Sequence, residues 1–237
     1  MKKVLLILLF TGAVFSFQSC YFPHEINGNE NLVTVTRNVS GFTGVENSGS
    51  LQVKIIRDSV AFVEIEGEEN LIPYINTDVH GDILIIDIEN HRNLDPNYPI
   101  IVYVHTPTLS SVEMSGSGNI QSDTLNVQQI SLKISGSGDI SMPVYATKVN
   151  AEIDGSGEMF LSGAATQADF EIDGSGDIHA YGMTVQECMA DIAGSGSIYT
   201  TVTDVLDVVI SGSGNVYYLG TPAVSVSVLG SGQVIHQ

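Results

Sequence analysis

Residues 149–178 read VNAEIDGSGEMFLSGAATQADFEIDGSGDI, and this stretch decides the fold. The tract Glu152-Ile153-Asp154-Gly155-Ser156-Gly157 returns 19 residues later as Glu171-Ile172-Asp173-Gly174-Ser175-Gly176. Outward from this pair, the Gly-Ser-Gly triplet occurs seven times, with first glycines Gly116, Gly136, Gly155, Gly174, Gly194, Gly212 and Gly230. The successive spacings are 20, 19, 19, 20, 18 and 18 residues. A near-constant period in this range is the mark of a solenoid, in which each repeat forms one coil and stacks on the next.

The flanks agree with that reading. Two residues before each first glycine stand Met114, Ile134, Ile153, Ile172, Ile192, Ile210 and Val228. Four before stand Val112, Leu132, Ala151, Phe170, Ala190, Val208 and Val226, and the residue between is mostly polar. Four after stand Ile120, Ile140, Met159, Ile178, Ile198, Val216 and Val234. This is period-two alternation on both sides of a glycine turn, the pattern of strands with one buried face. One coil cannot bury that face alone, whereas stacked coils align the aliphatic residues into columns. Each buried aliphatic side chain contributes roughly 1.5–3 kcal/mol relative to exposure. The predicted fold is all-β, a parallel β-helix with room for a third short strand in connectors such as residues 143–148. Its default hand is right. Seven coils at about 4.8 Å each give a rod on the order of 30 Å long.

The glycines allow positive φ or close approach of neighbouring backbones at a sharp corner. The central serines Ser117, Ser137, Ser156, Ser175, Ser195, Ser213 and Ser231 are expected to stack, with a hydroxyl ladder as one arrangement. A nucleophile elbow requires Gly-x-Ser-x-Gly, which these triplets lack. A phosphate loop requires Gly-Lys-Ser/Thr before a helix, and neither follows a triplet. The Gly-Gly-x-Gly-x-Asp signature of calcium β-rolls is also absent.

The N-terminus reads as an address. Lys2 and Lys3 precede the largely apolar residues 4–17, and Ser19 precedes Cys20. A basic start, a short apolar run and a small residue make a secretory signal. The run is too short to span a bilayer as a helix. Cys20 stands where the lipidated cysteine of a bacterial lipoprotein stands, although residues 17–19 depart from the usual box before it. The expected organisation is a signal peptide over 1–19, lipidated Cys20 with a tether over 20–31, an N-terminal β region over 32–110, and the solenoid over 111–237. Within the β region, residues 51–55 and 61–65 alternate across Arg57-Asp58-Ser59 and predict an antiparallel hairpin. Ser48-Gly49-Ser50 is a trace of the triplet. The region is expected to cover the first coil, because an open solenoid end aggregates. At the other end, the last coil is expected to self-associate or to meet a partner. Cys188, alone once Cys20 is lipidated, reads as a small buried core residue.

Charge narrows the partners. The chain has 8 Lys and Arg against 27 Asp and Glu, a formal net charge of −19. Such a surface repels phosphate backbones, so no nucleic-acid partner is expected. The partners predicted are the membrane, through the lipid, and a glycan or protein ligand.

Two sets of residues are candidate sites. Asp154 and Glu158 belong to one coil, Asp173 and Asp177 to the next, and equivalent positions should lie about 4.8 Å apart. Such pairs are candidate Ca²⁺ ligands, with Ca²⁺ the one cofactor considered, or the acid and base of a glycosidase. A polysaccharide-active β-helix enzyme is therefore the alternative function, although only Lys133 and Lys148 among the basic residues lie in the solenoid to hold an acidic sugar. Phe160, His179, Tyr199 and Tyr217 recur five residues after the first glycine and share outward parity, forming an aromatic ladder suited to sugar or peptide contact.

The triplet array, Ser40-Gly41-Phe42, and the turns Ser117-Gly118-Asn119-Ile120 and Ser213-Gly214-Asn215-Val216 resemble the family called putative auto-transporter adhesin, head GIN domain. The resemblance covers residues 32–237. It implies a β-solenoid at the surface or periplasmic face of a Gram-negative cell, and it supplies no catalytic residues. The expectation is an exported outer-membrane lipoprotein that acts as an adhesin or scaffold and not as an enzyme.

Overall fold

The computed structural model describes residues 25–89 and 92–237, so Cys20 and His91 lie outside the described residues. The molecule is an all-β solenoid with a 3-10 turn at Ile72–Tyr74. The repeat strands are Ser111–Met114, Asn119–Ser122, Leu125–Ile134, Asp139–Gly155, Glu158–Gly174, Asp177–Gly194, Ser197–Gly212, Asn215–Leu219, Ala223–Gly230 and Gln233–His236. Each pairs in parallel with its equivalent one coil away.

The columns read from the sequence are the core. Met114, Ile134, Ile153, Ile172, Ile192, Ile210 and Val228 stack in register. So do Ile120, Ile140, Met159, Ile178, Ile198, Val216 and Val234. Packing explains the one aromatic residue in the column four residues before each first glycine. Phe170 is fully buried, and its ladder neighbours are Ala151 and Ala190, whose small side chains leave it room. The drift between 18-, 19- and 20-residue spacings is absorbed in the connectors, where the register shifts between Phe160 and Ser162 and again between Ala180 and Thr184.

At the corners both glycines of a triplet are needed for space. A Cβ on Gly174 would run into the carbonyl oxygen of Gly155 one coil away, and one on Gly176 into that of Gly157. Gly174 also holds φ +140°, a conformation side chains disfavour. The serine between them is exposed, and its N–H reaches the preceding coil, as in Ser175 to the Gly155 carbonyl at 2.8 Å. The serines stack through this backbone ladder. No hydrogen bond joins their hydroxyls among the described residues, so the hydroxyl ladder does not form.

The parallel stack runs on beyond the seven triplets. Gly44–Asn47 and Gln52–Arg57 flank Ser48-Gly49-Ser50 and pair in parallel with Ser111–Met114 and Asn119–Ser122. The trace of a triplet is therefore a true corner, where the Gly49 carbonyl accepts from Gly118 at 3.1 Å. On the far side, Ile83–Ile88 and Ile101–Thr106 add a further parallel layer. Chain order and stacking order thus differ here: residues 44–57 lie between residues 83–106 and residues 111–122, both of which follow them in the chain. Asn47 takes a core position in this coil, and its amide donates to the Leu51 carbonyl at 2.8 Å, pinning the irregular corner.

Antiparallel strands close this end. Phe62–Glu68 runs antiparallel to Ile101–Thr106 and to Leu32–Arg37, while Ile75–His80 runs antiparallel to Ile83–Ile88. Arg37 ties the two arms together by donating to the Ile75 carbonyl at 2.6 Å, the Ile72 carbonyl at 3.1 Å and the Thr77 hydroxyl at 3.0 Å. The hairpin expected between residues 51–55 and 61–65 does not form. Ile101–Thr106 lies between them, parallel to one and antiparallel to the other. Alternation defines a strand's faces but says nothing about which strand takes its edge.

Candidate functional site

The solenoid carries its outward side chains in columns, and the aromatic column is the most regular. Phe160, His179, Tyr199 and Tyr217 are ladder partners in successive coils. Their ring centroids lie 4.8, 4.9 and 5.0 Å apart, with planes within 8° of parallel. The strand spacing sets this distance, because like positions on adjacent parallel strands take like rotamers. The consequence is chemical. Ring faces are turned toward each other, so solvent meets ring edges and the polar groups of His179 and the tyrosines. Phe160 ends the stack with Ser141 as its other ladder neighbour, and it is 41% exposed. It therefore keeps one face bordered only by a small side chain. Tyr181 meets Tyr199 edge-on at 5.5 Å and buries its hydroxyl without a hydrogen-bond partner, and desolvation raises its pKa.

The carboxylates proposed for Ca²⁺ form two pairs on opposite sides of the triplets. Asp154 is the ladder partner of Asp173, and Glu158 that of Asp177. Asp154 is already held by Lys133 at 2.8 Å, and Glu152 contacts the same ammonium at 2.5 Å. These two hydrogen bonds, Asp154 first, raise the Lys133 pKa. Asp177 accepts from the Ser197 N–H at 2.6 Å, as Asp139 does from the Glu158 N–H at 3.2 Å and Asn215 from the Gln233 N–H at 3.1 Å. The acidic or amide residue after the second glycine thus anchors the strand of the following coil. Among the described residues, no group of three or more His, Cys, Asp or Glu converges to hold a metal ion.

A feature missed in the sequence is a shallow groove of 380 Å³ on the long outward face, lined by Lys148, Asn150, Glu152, Asp169, Glu171 and Met189. Lys148 pairs with Asp169 at 2.6 Å within it. The signal was available in the positions three, five and seven residues before each first glycine, which face outward together. A second cleft of 410 Å³ lies at the N-terminal end against Leu51, Ile88, Leu94, Tyr98 and Ile100. Near it the buried Glu68 carboxylate accepts from the Glu30 N–H at 2.6 Å, the Asn97 N–H at 2.8 Å and the Asn97 amide at 2.9 Å. Cys188 is a core residue between Ala168 and Leu206, and burial pushes its thiol up to about 12.

Similarity to known proteins follows the same architecture. A crystal structure from Bacteroides fragilis described as a putative adhesin superposes with a TM-score of 0.83 at 21% identity, covering 90% of this chain and 100% of that one. One from Parabacteroides distasonis, also described as a putative adhesin, gives a TM-score of 0.74 at 26% identity, with 90% and 100% covered. Another from Parabacteroides distasonis, described as a putative lipid binding protein, gives 0.75 at 24%, with the same coverage. Comparison with curated proteins finds no match. The model of one family aligns with residues 41–222, which take in the coil at Ser48-Gly49-Ser50 and the first six triplets. The chain belongs to the family described as putative auto-transporter adhesin, head GIN domain.

Proposed function

We propose that this protein is an exported, adhesin-like binding module of the cell envelope, anchored in the outer membrane by lipid on Cys20 and without catalytic activity of its own. The observation that carries the reading is the column architecture of the surface. Outward side chains repeat coil after coil at strand spacing, which offers an extended, periodic face to an extended ligand. Membership of an adhesin family supports it. The net charge of −19 selects for a neutral or cationic ligand, such as a neutral glycan or a basic protein surface. Anchoring rests on the basic start, the apolar run and Ser19-Cys20.

The polysaccharide-active alternative meets a specific obstacle. Lys133 and Lys148, the basic groups that would hold an acidic sugar, are committed to Glu152, Asp154 and Asp169. Two experiments test the proposal. Cys20→Ser should abolish acyl labelling and release the protein from membranes, and unchanged retention without label would refute the anchor. A screen of the purified protein against glycans and matrix proteins should yield ligands that Phe160→Ala weakens. Hydrolysis of a glycan in that screen would favour the enzyme instead.

A further inference from the structure

We infer that the C-terminal end of the solenoid is a tail-to-tail dimerisation edge whose occupant is a second copy of this chain. The strand Ala223–Gly230 pairs along one edge with residues 205–212, and no strand lies against its other edge among the described residues. Its inward valines occupy the core columns, as ladder partners of Leu206, Val208 and Ile210. Those three partners are 0–2% exposed, whereas Val224, Val226 and Val228 are 39%, 50% and 37% exposed. A free strand edge backed by an uncovered apolar column is a template for another strand.

Charge identifies the occupant. Residues 208–237 contain no Asp, Glu, Lys or Arg, in a chain whose net charge is −19. Two such molecules repel each other across most of their surfaces, and this end is where like charge does not oppose contact. Topology fixes the orientation. In the column to which this strand belongs the opposite end is the antiparallel strand Ile75–His80, so head-to-tail contact there cannot continue the parallel ladder. Two tails meeting about a twofold axis pair their strands antiparallel, and the contact closes on itself.

The pleat then sets the register. Residues directly opposite in an antiparallel pair share a face, so inward valines must oppose inward valines. Centring the axis on Val226 places Val226 opposite its own copy and Val224 opposite Val228, which merges the two core columns. In the same register Ser225 lies opposite Ser227.

Cysteine crosslinking of the detergent-solubilised full chain tests this arrangement. Facing residues of such a pair have Cα atoms about 4.5–5.5 Å apart, within disulfide reach. On mild oxidation Val226→Cys should form a covalent dimer that neither the wild-type chain nor Ser225→Cys forms. Sedimentation of the wild-type chain should give a dimer at high micromolar concentration. Val226→Lys, which sets like charges face to face, should weaken that dimer by roughly tenfold or more while leaving the circular dichroism spectrum unchanged. A wild-type chain that stays monomeric, a Val226→Cys variant that does not crosslink, or open-ended oligomers would each overturn the proposal.

Discussion

The central serine and the glycines of a triplet look alike in the repeat but differ in what they contribute. A methyl group at Gly174 meets the Gly155 carbonyl and must also sit at φ +140°, while Ser175 points to solvent. Gly174→Ala is expected to lower stability by roughly 1–3 kcal/mol through strain and crowding. Ser175→Ala should stay within about 0.5 kcal/mol of wild type, as for most surface changes. Urea denaturation followed by circular dichroism measures both. Cys188 illustrates the other environment. Its thiol, pushed up to about 12 by burial, stays protonated at pH 8. Iodoacetamide should therefore leave Cys188 unmodified in the native protein and alkylate it after denaturation, as mass spectrometry of the peptide would show.

Among the elements, the N-terminal cap holds a buried carboxylate, Glu68, at the meeting of two loops. Desolvation pushes the Glu68 carboxyl up, but the hydrogen bonds from the Asn97 side chain and from the N–H groups of Glu30 and Asn97 together bring its pKa below the ordinary 4.5. Gly28 packs against the same carboxylate with no room for a side chain. A depressed pKa means that the ionised form stabilises the fold above the unfolded value, and that this contribution is lost as pH falls through the folded one. Glu68→Gln should therefore lower the melting temperature at pH 7. The gap between variant and wild type should narrow as pH drops below about 4.5, which thermal melts across a pH series would follow. A gap of constant size would mean that shape, and not charge, sets the role of Glu68.

At the level of the whole molecule, stacking puts like residues beside like, and in an acidic chain this gathers carboxylates. Glu152, Glu171 and Asp191 are consecutive ladder partners, and Lys133 next to Glu152 partly compensates them. Self-repulsion of this kind destabilises a compact state and is screened by salt. The melting temperature should rise with sodium chloride concentration. Lys133→Ala, which leaves Glu152 and Asp154 unpaired, should start lower and rise more steeply. A flat salt response in both proteins would show that the acidic columns are already balanced by local contacts.

The stacked half of the fold was legible because a solenoid is nearly one-dimensional. Each coil contacts only its neighbours, so a period in the residues is a period in space, and the columns through Ile153, Ile172 and Ile192 follow from counting. The aromatic register of Phe160, His179, Tyr199 and Tyr217 followed the same way. Tertiary structure decided what counting could not reach. Residues 83–106 share no triplet with the coil on which they stack, and Ile101–Thr106 takes the edge between two strands that alternation alone would have paired. Strand pairing in that region is a competition among edges distant in the chain, settled by backbone hydrogen bonding and by contacts such as Arg37 and Glu68. The orientation of the aromatic rings was equally out of reach. Parity puts a side chain outside, but only the spacing and rotamers of neighbouring strands turn its face toward the next ring and its edge toward water.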